Sequence, residues 1–216
     1  MTRLTRRIRG EDHGAIHHAV AQGNGRRRIV FDNRDRRSFA LRYGRIQREL
    51  GWTVHSSCLM DTHHHAVVQT AEPNLGLGMG RLQGGHARWL NARHGTEGHV
   101  FRHRFWSKRI YSDAHLLRAC LYVVLNPVAA GVCDHPRDWP WCSYRSTVEG
   151  HPGVYGPGEH VLLEMFGGTP REARQSYAKL VGELAENLRA RRVESSRSLW
   201  AALREVDAPR RAEVPG

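Results

Sequence analysis

The sequence has no run near the ~18 consecutive apolar residues that a membrane-spanning helix needs, and its mean hydropathy is −0.58. The basic leader from Met1 to Gly14 has no apolar segment behind it, so it does not read as a secretory signal. None of the four cysteines (Cys58, Cys120, Cys133, Cys142) forms a Cys-x-x-Cys pair, which excludes a zinc ribbon. Without an export signal they read as reduced thiols, and the expected location is the cytoplasm. A Gly-x-x-x-x-Gly-Lys-Ser/Thr phosphate loop is missing, and so is any internal repeat. Lysine is nearly absent, with Lys108 and Lys179 the only two among 33 basic residues. What remains is a chain of 216 residues, 40% hydrophobic and 25% charged. That is enough for one sizeable domain and an extension.

Arginine is plentiful, and it is unevenly spread. The net charge is +12, and residues 1–50 carry 13 basic against 5 acidic side chains. Residues 51–150 carry 10 against 7, and residues 151–216 carry 10 against 9. A positive field concentrated in the first quarter is the footprint expected for a polyanion, with nucleic acid the first candidate. A G+C-rich genome accounts for arginine over lysine but not for the excess over acid.

Hydrophobic periodicity and turn residues predict a first strand over 15–21, ended by Gly23-Asn24-Gly25. Asp32 or Asn33 is positioned to cap a helix to Leu50, with Phe39, Tyr43, Ile46 and Leu50 at helical spacing. Two strands over 52–59 and 63–70 form a hairpin through Met60-Asp61-Thr62. A helix from about Leu75 to Arg93, a strand over 98–105 and a helix capped by Ser112 or Asp113 follow. The last of these is expected to end at or near Asn126-Pro127, and a packed loop from Pro136 to Pro140 closes the domain. Glycines and prolines from Gly150 to Gly158 read as a linker. Helical stretches over 161–166 and 169–192 follow, then a polar tail from Glu194 expected to be frayed. The fold class is α+β, an antiparallel sheet with helices packed on it. Residues 1–150 make one domain, and residues 151–216 a helical C-terminal extension.

Eight of the fifteen histidines lie between His55 and His103, three of them consecutive at His63-His64-His65. Strand alternation turns His63 and His65 to one face and His64 to the other. Two imidazoles at this spacing can bind a divalent cation that finds a further ligand, although a short motif of this kind alone more often marks a solvated turn. On the third helix Tyr122 and Asn126 stand four apart and share a face. They offer a phenolic oxygen and a carbonyl oxygen; taken alone, Tyr122 reads better as a core residue with a hydrogen-bonded hydroxyl.

Taken together, these segments resemble a known family. Cys58 to Val68 is similar to the His-hydrophobe-His (HUH) motif of the IS200-like single-tyrosine transposases, and most of all to the REP-associated tyrosine transposases, REP being a repetitive extragenic palindrome. The family strand reads Met-Pro-Asn-His-hydrophobe-His; this chain departs from it at Asp61, Thr62 and His64. Ile16 to Asn24 resembles the family's first strand. Gly98 to Phe105 resembles its Gly-x-hydrophobe-aromatic-x-x-Arg-aromatic stretch. Leu121 to Val132 resembles its Tyr-Ile-x-x-Asn-Pro-Val-x-Ala-Gly signature, and Trp139 to Tyr144 its usual ending. The likeness covers about residues 10–148, and Leu162 to Tyr177 is similar to the extension of longer members.

The resemblance implies a ferredoxin-like, RRM-like HUH fold and a metal-dependent single-stranded DNA endonuclease and strand transferase working near hairpins. It makes Tyr122 the nucleophile of a 5′-phosphotyrosine intermediate. His63, His65 and Asn126 become the ligands of Mg²⁺ or Mn²⁺. Arg26, Arg27, Arg28, Arg102, Arg104, Lys108 and Arg109 are candidate phosphate contacts, and Trp52, Phe105 and Trp106 candidate stacking faces. The implied partner is single-stranded or hairpin DNA of the nucleoid, bound by a monomer or a homodimer. Three rival readings are a nicking initiator, a decayed HUH fold that only binds hairpins, and an unrelated metal-dependent hydrolase.

Overall fold

The computed structural model describes residues 13–150, 160–191, 196–204 and 206. The expected linker is outside these residues except for Gly150, as is the tail beyond 206.

The chain begins with β1 (Ile16–Gln22), then a tight 3-10 turn at Asn24–Arg26. Gly23 enters that turn where a Cβ would stand 2.1 Å from the Arg27 carbonyl oxygen, so only glycine fits. Next is α1 (Asn33–Glu49), whose N-cap Asp32 accepts a hydrogen bond from the Asp35 amide at 3.0 Å. Phe39, Tyr43 and Ile46 form its buried stripe, and Gly51, with φ of 64°, turns the chain into the hairpin of β2 (Trp52–Leu59) and β3 (His63–Thr70). These elements follow the periodicity of the sequence closely.

The four strands form one antiparallel sheet in the order β2-β3-β1-β4. The last strand differs from expectation. β4 is Trp106–Ile110, not 98–105, of which only Phe101 makes an isolated bridge, to Gly23. Residues 102–104 loop outward and are exposed. β4 is an edge strand of Trp-Ser-Lys-Arg-Ile, and such polar edges carry little hydrophobic signal.

Helix α2 (Leu75–His94) packs beside α1 on one face of the sheet. Gly78 lets α2 approach the start of β2, since a Cβ there would lie 2.1 Å from the Trp52 ring. The other face is covered by α3 (Asp113–Ala129), in which Leu121, Val123, Val124 and Leu125 are fully buried. Each such side chain contributes roughly 1.5–3 kcal/mol by burial. Pro127 does not stop α3, which runs two residues past it, and the Ala130 amide still reaches the Asn126 carbonyl at 2.9 Å. Burial of Asn126, Pro127 and Val128 against the domain outweighs the backbone preference at Asn126.

A short helix α4 (Tyr144–Glu149) follows the Trp139–Trp141 loop. The extension contains α5 (His160–Glu164) and α6 (Pro170–Arg191), and α6 packs on α3. It also contains α7 (Ser196–Ala202), inside the stretch expected to be frayed. Leu199 and Leu203 are buried in the same cluster as α3, and this burial gives α7 its order. Among the described residues no helix is long and apolar enough to cross a membrane.

Candidate active site

Strand alternation divides the three consecutive histidines as the pattern requires. His64 points into the α1–α2 side, where it meets the rings of Phe39 and Tyr43 at 4.9 and 5.1 Å and the Ser57 hydroxyl at 2.9 Å. His63 and His65 face α3, their rings 4.8 Å apart. Across the sheet His63 pairs with Gln22 and His65 with Val20 and Cys58.

Helix α3 brings its own pair to the same place. The Asn126 carbonyl oxygen stands 3.1 Å from His63 Nε2, and the Tyr122 ring lies 5.3 Å from that of His65. Tyr122, Asn126 and His65 are all buried. The structure thus gathers Tyr122, His63, His65 and Asn126 at one junction of β3 and α3, from positions 63 residues apart in the case of His63 and Asn126.

Burial is the main electrostatic fact here. It lowers the pKa of His63 and holds that of His65 well below the ordinary value, with the neighbouring histidines adding to the effect on His65. Both rings are therefore neutral at pH 7, the form in which imidazole ligates metals. Among the described residues no three His, Cys, Asp or Glu side chains are arranged to hold a metal ion. Were His63 and His65 to hold a cation, a third protein ligand would be of another type, and the Asn126 side-chain oxygen stands beside His63 Nε2. Two imidazole nitrogens and an amide oxygen are donors that would suit a small divalent cation.

Three site residues were missed by sequence reasoning. His18, on β1, lies with its Nε2 3.1 Å from His65 Nδ1 and its ring 5.6 Å from that of Tyr122. Burial lowers its pKa to about 4, aided by His115 and Lys108. Thr62 places its hydroxyl oxygen 2.9 Å from His63 Nδ1. Trp200, on α7, stacks on Tyr122 at 4.8 Å. Strand alternation could have singled out His18, but nothing in the sequence pointed to Trp200.

The candidate phosphate contacts fall into two groups. Arg26, Arg27 and Arg28 are exposed just after the β1 turn, and Arg102 and Arg104 are exposed in the loop before β4. The two loops are tied together by Asn24 N–Val100 O and Arg102 N–Gln22 O bonds, each 2.9 Å, at the His63 end of the sheet. Arg28 also pairs with Asp61 at 3.4 Å. On β4, Lys108 pairs with His18 and shares its face, whereas Arg109 pairs with His17 on the opposite face and lies over the Tyr111 ring. Of the three aromatics, Trp106 is 55% exposed and edge-on to His18. Phe105 is half-buried. Trp52 is a core residue whose indole N–H donates to Asn74 at 2.6 Å, so it provides no stacking face.

Comparison with known proteins agrees with this architecture. A curated Haemophilus influenzae protein described as a REP-associated tyrosine transposase is 25% identical over 124 residues, which is 52% of this chain. The chain covers 65% of that relative's length. A solved structure described as a REP-associated tyrosine transposase bound to a REP hairpin superposes with a TM-score of 0.55 at 16% identity. It covers 72% of this chain and 92% of its own. No family model matches the chain. The α+β fold is that of the transposase structure, and the resemblance read from the motifs holds in sequence as well.

Proposed function

We propose, from this likeness to the REP-associated tyrosine transposases, that the chain is a metal-dependent single-stranded DNA endonuclease and strand transferase. It acts beside DNA hairpins through a covalent 5′-phosphotyrosine. The observation that carries the reading is the meeting of Tyr122 with His63, His65 and Asn126 at one β3–α3 junction.

In this reading His63, His65 and Asn126 hold Mg²⁺ or Mn²⁺. Such an ion, when bound, polarises a non-bridging phosphate oxygen and offsets charge in the transition state. The Tyr122 oxygen attacks the phosphorus in line as the bond to the 3′ oxygen breaks. The phenol gives up its proton and the departing 3′ oxygen gains one. The products are a 5′-phosphate ester on Tyr122 and a free 3′-hydroxyl. Because the phosphodiester is exchanged for another ester, rejoining needs no nucleotide hydrolysis. The arginines of the two tied loops contact phosphates, while Trp106 and Lys108 receive the single strand beside His18.

The test is covalent trapping on a denaturing gel with single-stranded hairpin oligonucleotides and Mn²⁺ or Mg²⁺. A metal-dependent protein–DNA adduct that is lost in Tyr122→Phe supports the reading. Tight hairpin binding without cleavage in either metal replaces it with a binding-only protein. An adduct that survives Tyr122→Phe moves the nucleophile elsewhere.

A further inference from the structure

A neutral imidazole carries one proton on two nitrogens, and it can ligate only through the bare one. A histidine that binds metal through Nε2 must therefore carry its proton on Nδ1, and that proton needs an acceptor. Both histidines of the candidate site have a partner atom in reach of Nδ1 that is able to accept. His63 Nδ1 is 2.9 Å from the Thr62 hydroxyl oxygen, and His65 Nδ1 is 3.1 Å from His18 Nε2.

The two tethers have different local origins. Thr62 closes the β2–β3 turn and is the chain neighbour of His63. It stands where the resembling family pattern has asparagine, another residue with a side-chain oxygen. His18 reaches from β1. His65 is paired with Val20, so His18 is its diagonal neighbour on the same sheet face. His18 is buried, with its ring centre 5.3 Å from that of His65 and 30° between their planes.

The tautomer decides whether the site is open. With its proton on Nε2, the form favoured by a free imidazole, His63 would donate to the Asn126 oxygen 3.1 Å away and close the pair to any cation. With its proton on Nδ1, a nitrogen lone pair faces a carbonyl oxygen, an arrangement that favours a cation near both.

We propose that Thr62 and His18 are positioning residues that hold His63 and His65 in the Nδ1–H form, so that both present Nε2 to the metal. The inference rests on the metal site proposed above, but the tautomers can be read without any metal.

The experiment uses the metal-free full chain with ¹⁵N-labelled histidine and long-range proton–nitrogen correlation spectra. Both His63 and His65 are expected as Nδ1–H. Thr62→Val should move His63 alone toward Nε2–H, and His18→Leu should move His65 alone. Mn²⁺ affinity, from loss of the free-ion electron paramagnetic resonance signal, should fall about 10–100-fold in each. His18→Gln, whose amide oxygen can accept the same proton, should recover much of the loss. If His18→Leu does not fold, Thr62→Val and His18→Gln carry the test. Nε2–H forms in the wild type, or tautomers and affinities unchanged in folded variants, would overturn the proposal. Expected tautomers without Mn²⁺ binding, or with binding indifferent to His63→Ala and His65→Ala, would leave the tethers standing and overturn the metal reading.

Discussion

The indole of Trp200 lies nearly parallel to the ring of Tyr122, with 20° between their planes and 4.8 Å between centroids. Tyr122 is 4% exposed, with α7 packed over its ring, so in the proposed reaction Trp200 is the side chain whose removal would uncover that ring. An aromatic pair of this kind contributes about 0.5–1.5 kcal/mol beyond its buried area. Trp200→Ala is expected to speed adduct formation on hairpin oligonucleotides roughly 2- to 10-fold, the equivalent of that energy. Initial rates on denaturing gels check it; an unchanged rate would show that the stack does not limit access.

The Asn126 side-chain oxygen faces His63 Nε2 at 3.1 Å, and the proposed reading makes it the oxygen ligand. Asn126→Ala should lower Mn²⁺ affinity by about an order of magnitude or more. Asn126→Asp should improve Mg²⁺ relative to Mn²⁺, because Mg²⁺ prefers carboxylate oxygen. Competition between the two ions, followed by titration calorimetry, distinguishes the variants.

Arg26 has a φ of 59°, in the left-handed region, and its side chain is exposed. A residue with a Cβ costs about 1–2 kcal/mol there. Arg26→Gly should therefore raise thermal stability while weakening hairpin binding. The slope of log affinity against log salt should shrink by about 0.7–0.9, the loss of one phosphate contact. Anisotropy titrations at several salt concentrations, with melting curves on the same samples, test both halves.

His86 is buried on α2, with its Nε2 2.6 Å from the Ile29 carbonyl oxygen, and burial lowers its pKa. Its folded value lies below the unfolded value of about 6.5, so below that pH the unfolded chain binds more protons. The stability it contributes is complete above about pH 6.5 and is lost as the pH falls. Urea midpoints should drop between pH 7.5 and 5.5. His86→Gln should flatten that slope by at most ~1.4 kcal/mol per pH unit.

The α1 stripe and the β2–β3 hairpin were legible because buried faces impose a regular period on their sequences. The histidine pair was legible for the same reason, since alternation alone assigns His63 and His65 to one side. β4 was displaced along the chain because a polar edge strand has little burial to advertise. Asn126 was placed on its face in spite of Pro127, where tertiary packing overrides a local preference. The Trp200 contact depends on α7 docking some 78 residues after Tyr122, a distance over which no periodicity speaks.

His64 and His65 are joined by one peptide bond, yet they belong to opposite sides of the sheet. One is enclosed by Phe39 and Tyr43, the other by Tyr122 and His18. The sheet acts as a party wall between two households of residues. A substitution behind it, at position 64 for instance, acts on the packing of Phe39 and Tyr43 and leaves the junction on the other side untouched.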